Sequence, residues 1–142
     1  MNSVSDFDLG KFEEEAHERW AHAFESNPSN LEKYYLNVAF PYPSGAMHVG
    51  HGRTYIVPDV VARFWRMRGK QVLFPMGFHV TGAPVVGISK RIARKDEKTI
   101  RLYRDLYRVP QNVLDSFTDP LTIVKHFAAE NQRWITACGL SI

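Results

Sequence analysis

Two histidines three residues apart, His48 and His51, flank Gly50 where an apolar run gives way to a helical pattern. Residues three apart share a face of a helix, so both imidazoles would stand together at its start. There they would add to free backbone N–H groups and to the positive end of the helix dipole. Such a group of donors can hold phosphate oxygens and stabilise charge on a phosphoryl group as a bond to it breaks. Gly50 removes a side chain where a ligand must approach closely. Two exposed or capping histidines are the plain alternative. A metal pair is a weaker one, because a convincing third and fourth ligand are lacking, although His79 could be one. The preceding turn, Pro41-Tyr42-Pro43-Ser44-Gly45, favours the phosphate reading by its context.

Two further groups could meet a small substrate. Phe40 and Tyr42 straddle Pro41 and could line an apolar pocket, or be ordinary core aromatics. The loop Gly77-Phe78-His79-Val80-Thr81-Gly82 carries His79 at its tip, able to hydrogen-bond an amine or a carboxylate, or simply to pin its own loop. The basic residues Lys90, Arg91, Arg94, Lys95, Lys98, Arg101, Arg104 and Arg108 are interrupted by Asp96, Glu97 and Asp105. A solvated helix face with internal ion pairs explains them better than a nucleic-acid surface does.

The elements that must position these residues follow from the apolar pattern. Residues 1–10 read as a frayed lead-in, and Lys11 to Glu25 as a helix with Phe12, Ala16, Trp20, Ala23 and Phe24 near one face. Pro28, within Ser26–Asn30, breaks it. Tyr34 to Phe40 reads as a buried strand, stopped by Pro41 and Pro43. His48 to Arg68 is helical, with Pro58 expected to kink or divide it and Gly69 to end it. Gln71 to Phe74 is a second strand, stopped by Pro75. This is a βαβ unit, right-handed with parallel strands by the usual rule. Ligands of such sheets bind beyond the carboxyl ends of the strands, where both unusual loops lie. The fold thus predicts that His48, His51 and His79 come near one another. Helices are expected over Val85–Arg94 and Glu97–Arg108, then a short connector over Pro110–Phe117. A last helix should be capped by Asp119, begun by Pro120 and ended by Gly139.

The 142 residues and net charge of +3 fit one compact domain and neither announce nor exclude a nucleic-acid partner. The single cysteine, Cys138, rules out an internal disulfide and a four-cysteine zinc site, and suits a reducing, cytoplasmic setting. No stretch is apolar for long enough to span a membrane, and the first ten residues lack a signal-peptide pattern.

The segment Phe40-Pro41-Tyr42-Pro43-Ser44-Gly45-Ala46-Met47-His48-Val49-Gly50-His51-Gly52-Arg53-Thr54-Tyr55 closely resembles the first signature of leucyl-tRNA synthetases. Pro58-Asp59-Val60, Arg66-Met67-Arg68-Gly69 and Leu73 to Gly82 resemble the archaeal and eukaryotic-cytosolic branch. The resemblance implies an α/β fold: a Rossmann-type parallel sheet, the first half of a class I synthetase catalytic domain, with an N-terminal helix and C-terminal helices. Residues 1–30 would be a lead-in and helix, and 31–142 that half-domain. It implies ATP-dependent activation of leucine to leucyl-adenylate, then transfer to tRNA(Leu), with Mg2+ assisting. By the same resemblance, His48 and His51 match the HIGH histidines at the ATP phosphates, with Pro43, Gly45 and Gly50 also at the nucleotide. Phe40 and Tyr42 match residues of the leucine site. His79 stands where bacterial relatives carry an aspartate for the amino group of leucine.

The lysine-rich KMSKS loop, the editing domain and the anticodon-binding helices of that family have no counterpart in the sequence. The chain therefore reads as a piece of such an enzyme: a truncated gene, a deliberate fragment, or a split enzyme whose second chain carries the KMSKS half. A non-catalytic fragment and a small stand-alone nucleotidyltransferase are the rival readings.

Overall fold

The computed structural model describes residues 8–20, 22–26 and 31–142. The expected break at Pro28 and the lead-in before Asp8 lie outside the described residues. Helix α1 spans Leu9–Trp20, β1 Lys33–Tyr35, α2 Val49–Met67 and β2 Gln71–Leu73. There follow α3 Ala83–Ala93, α4 Glu97–Arg101, a π-helical turn Leu102–Leu106, α5 Gln111–Ser116 and α6 Pro120–Ala137. None of the helices among the described residues is long and apolar enough to cross a membrane.

The βαβ unit is present, with a parallel pair in which Lys33, Tyr34 and Tyr35 face Gln71, Val72 and Leu73. The sheet is smaller than the sequence suggests. The first strand is three residues long rather than seven, and only Tyr34 of the three is even half-buried. A two-stranded parallel ribbon offers no second neighbour to its edges, so Ala39 and Phe40 have no ladder to join and continue as extended loop. Leu36 extends the pairing by one bond, from its N–H to the Leu73 carbonyl at 3.0 Å. Ala62, Val72 and Phe74 form a small core beneath the ribbon, with Tyr34, Leu36, Val38 and Trp65 around it.

Pro58 does not divide α2, which runs unbroken for 19 residues. Proline removes one backbone donor, and packing of one helix face offsets that loss: Tyr55, Asp59 and Ala62 are all buried. Gly69 ends the helix with φ +80°. The larger core lies between the later helices, where Val85, Ile88, Ile92, Tyr103, Leu114, Phe117, Ile123 and Phe127 meet. Asp119 caps α6 by accepting from the Leu121 N–H at 2.9 Å, and Gly139 closes it with φ +61°. The basic helix over Glu97–Arg108 is not one α-helix. It changes to a π turn at Leu102, with Tyr107 N–H reaching the Leu102 carbonyl at 3.1 Å.

Helix α1 buries none of its residues. Its apolar stripe and the turn after it meet arginines instead: the Arg63 guanidinium lies 5.1 Å from the Trp20 ring and 4.9 Å from Phe24, and Arg66 lies 4.9 Å from Phe24. Those arginines belong to a buried latch. Asp59, 6% exposed, accepts from the Ser141 N–H at 2.7 Å, from the Ser141 hydroxyl and from Arg63 Nε at 2.8 Å. Arg66 donates to the Ser141 hydroxyl and carbonyl, at 2.6 and 2.8 Å. The segment after α6 is thus pinned to the middle of α2. Removing the carboxylate would leave a buried N–H and two guanidinium groups without their anion. Asp59→Ala should therefore lower unfolding free energy by about 3 kcal/mol in denaturant titration, with Asp59→Asn losing less.

Candidate nucleotide and amino-acid site

The start of α2 is capped by its own histidines. His48 has extended backbone and is the N-cap. Its Nδ1 accepts from the Gly50 N–H at 3.1 Å, while His51 Nδ1 accepts from the His48 N–H at 3.2 Å. This is the reciprocal logic of a capping box, with imidazoles in place of hydroxyl and carboxylate. It has a chemical consequence. An Nδ1 that accepts a hydrogen bond carries no proton, so each neutral ring keeps its proton on Nε2. The two rings, 4.1 Å apart between centroids, then present two Nε2–H donors. The Gly50 amide is not free, contrary to the expectation of open helix-start donors, because the His48 ring occupies it.

Gly50 is needed for a nearer reason than ligand approach. A Cβ there would lie 2.8 Å from His48 Cε1, so any larger residue displaces the capping ring. Burial is the first cause holding His51 below its ordinary value of 6.5, and the adjacent His48 is the second.

The two loops are joined to each other. His79 N–H donates to the Pro41 carbonyl at 2.9 Å. The His79 ring stacks on Tyr42, 4.4 Å between centroids. The Phe40 ring lies over Gly77, where a Cβ would be 3.1 Å from its Cε2. Phe40 and Tyr42 are exposed, 40% and 39%, so neither is a core aromatic. The structure brings Phe40, Tyr42 and His79 together, and His48 and His51 together, as two groups with the Pro41–Ser44 turn between them rather than one cluster of three histidines. Tyr42 belongs to both, since it also lines a cleft of about 970 Å³ with Ser44, Gly45, Ala46, His48 and His51. His79 is not in the wall of that cleft. Pro43 is fully buried and fixes the turn from below.

The opposite wall of the cleft was not foreseen. Arg91, Lys98 and Arg101 from the basic cluster line it, beside Asp96 and Asp105. Arg101 is paired to Glu97 at 2.6 Å, and Arg104 to Asp105 at 2.7 Å, as a solvated face would be. Tyr103, Tyr107 and Asn131, which touch the Ser44–Gly45 turn, were also missed. They lie 59 or more residues away in sequence from the groups they meet, and no local spacing marks them. Among the described residues no three His, Cys, Asp or Glu side chains gather to hold a metal.

The chain is an α/β domain built on a βαβ unit whose first loop ends in a pair of histidines at the start of the crossover helix. The family described as tRNA synthetases class I (I, L, M and V) matches residues 12–109, and the chain belongs to that family. It is 57% identical over 132 residues to a leucine–tRNA ligase of Methanopyrus kandleri, covering 92% of this chain and 14% of that one. It is 55% identical over 127 residues to that of Methanothermobacter thermautotrophicus, covering 88% and 14%. Among solved structures, a LeuRS of Agrobacterium radiobacter in ternary complex with tRNA and LeuAMS superposes with a TM-score of 0.70 at 25% identity, covering 96% of this chain and 15% of that one. The chain therefore spans about one-seventh of the relatives it matches.

The lowered His51 value has a definite sign. Between the folded value and 6.5 the unfolded chain binds the extra proton, so stability rises with pH through that window and falls as pH drops below 6.5. Imidazole shifts followed by NMR should show His51 titrating below 6.5, and His51→Gln should flatten that part of the acid limb of thermal stability.

Proposed function

We propose that this chain is the ATP- and leucine-binding part of a leucine–tRNA ligase, with 31–142 as the first portion of its catalytic domain. The observation that carries the reading is the pair of Nε2–H donors at the start of α2, one turn of chain from the Phe40–Tyr42–His79 group. In the reaction, a leucine carboxylate oxygen attacks the α-phosphorus of ATP in line. A new P–O bond forms, the bond to the β-phosphate oxygen breaks, and pyrophosphate leaves. His48 and His51 donate to phosphate oxygens and stabilise the charge that grows on the transferring and leaving groups. Arg91 and Lys98 add positive field from across the cleft. Phe40 and Tyr42 supply apolar surface to the leucine side chain, and a neutral His79 accepts a hydrogen bond from the leucine ammonium. No side chain acts as nucleophile. Magnesium is expected with ATP; among the described residues no three His, Cys, Asp or Glu side chains gather to hold an ion, so no step is assigned to it. The adenylate would then pass leucine to tRNA(Leu), in a cytoplasmic setting.

One observation favours a second chain or segment for full activity. Ile56, Val57, Val60, Phe64 and Met67 form an exposed apolar stripe along α2, with Met67 80% exposed, and Tyr35 and Leu73 are exposed on the ribbon. Soluble proteins seldom leave such a stripe uncovered. A non-catalytic fragment that completes a split synthetase remains the alternative reading.

Calorimetry and leucine-dependent ATP–pyrophosphate exchange on the whole chain test these assignments. The wild type should bind ATP, and the His48→Ala/His51→Ala double variant should bind about 100-fold more weakly, from the loss of two hydrogen bonds to a charged ligand. ATP binding equal in both would overturn the reading. Binding without exchange would assign the chain to ligand holding, with chemistry requiring the rest of a synthetase.

Gly50→Ala separates stability from function. Alanine is the better helix former by about 1 kcal/mol and the displaced His48 cap costs about as much, so thermal stability should change little. The displaced His48 ring should nonetheless weaken ATP binding. His79→Ala should raise the leucine dissociation constant and leave that for ATP unchanged.

A further inference from the structure

The turn before His48 is held from a distant part of the chain. Tyr103, 2% exposed, donates its hydroxyl to the carbonyl oxygen of Ser44. Asn131, also 2% exposed, donates from Nδ2 to the next carbonyl, that of Gly45, at 3.4 Å. The Tyr107 ring lies against Gly45, where a Cβ would come within 2.9 Å of Cε2, so a side chain at that point would push the ring aside. Two successive carbonyls and the intervening Cα are thus fixed, and only Ala46 and Met47 separate them from His48. Ala46 packs on the same helical core.

The π turn carries Tyr103 and is capped by Tyr107. Tyr103 and Tyr107 meet edge to face with centroids 5.2 Å apart, and both rings contact Phe127 of α6, at 5.7 and 5.8 Å. Single π turns interrupt α-helices at some cost and recur at functional positions. Here the widened turn carries Tyr103 to the carbonyl of Ser44 and Tyr107 to the face of Gly45. Burial pushes the Tyr103 hydroxyl well above the usual phenol range, so it remains a donor at any ordinary pH.

We propose that Tyr103 and Asn131 are positioning residues for the nucleotide-binding turn: they clamp the Ser44 and Gly45 carbonyls to the later helices and so set where His48 and His51 present their Nε2–H donors. The inference rests on the proposed ATP site for its effect on binding, but not for the clamp itself. A merely structural role would make Tyr103 one more core aromatic, felt only through overall stability.

Tyr103→Phe keeps the ring and removes only the donor, and Asn131→Ala removes the second arm independently. Ile123→Val thins the same core without touching the turn and serves as the control. Amide hydrogen exchange on the whole chain reads the clamp directly, at His48 and Gly50, whose N–H groups are bonded to the histidine rings. Tyr103→Phe should speed exchange at these amides by about tenfold, the size expected for one buried hydrogen bond lost. It should weaken ATP binding by a similar factor while leucine binding changes by less than about twofold. Asn131→Ala should act in the same direction, and Ile123→Val should leave both readouts unchanged. Exchange at His48 and Gly50 that stays at wild-type rates in Tyr103→Phe and Asn131→Ala, or that rises equally in Ile123→Val, overturns the proposal. Should the wild type fail to bind ATP, the nucleotide reading falls, while the exchange comparison still decides the clamp.

Discussion

A helix that begins in an exposed loop must find partners for its first amide groups, and this chain meets that constraint with histidines rather than with serine, threonine or aspartate. The choice determines much else. Because His48 and His51 cap through Nδ1, their remaining donors are directed away from the backbone and stay available. Because the His48 ring folds onto the next residue but one, a side chain there would push the ring aside, and that residue is glycine. Because the His51 ring must stay neutral to accept from the His48 N–H, and burial holds it below its ordinary value, that bond persists near neutral pH and is lost in acid. One local hydrogen-bonding requirement thus couples helix initiation, a glycine, a tautomer and a pair of N–H groups left free of the backbone.

The rest of the molecule holds that helix start from two directions. From the ribbon side, the Phe40–Tyr42 segment is tied to the loop of His79 by a backbone bond, a stacked pair and a ring seated on Gly77. From the helical side, the π turn and α6 reach the Ser44–Gly45 turn. Further along α2, the Asp59 latch ties the helix to the segment that follows α6. Helix α2 is therefore fixed at its start and at its middle by elements distant in sequence. Its other face, with Ile56, Val60 and Phe64, has no cover among the described residues.

The small sheet and the exposed stripe belong to one physical picture. A parallel ribbon of two strands cannot bury both its faces, and its single crossover helix covers only one. Stability comes mainly from the later helices, whose core holds most of the fully buried aromatic side chains. The chain matches about one-seventh of the length of its relatives, and an uncovered apolar helix face is what a segment of a larger parallel-sheet domain presents.

Much of the site was legible in the sequence because it is built from contiguous residues. Histidine spacing, the proline-rich turn, the caps at Asp119, Gly69 and Gly139, and the periodicity of α2 are all local, and local geometry follows from residue type and spacing. The length of the first strand was not legible, since Tyr34 to Phe40 has strand-like composition throughout and only a neighbouring strand decides how far pairing runs. Pro58 looked like a break because propensity ignores the packing that offsets a lost bond. The tautomers of His48 and His51, the stacking of His79 on Tyr42, and the roles of Tyr103, Asn131 and Asp59 all depend on contacts made through space. Sequence by itself determined the helix start, its histidines and the family to which they point. Tertiary structure alone decided what holds that helix start in place, because the bonds from Tyr103 and Asn131 join residues that chain connectivity does not bring together.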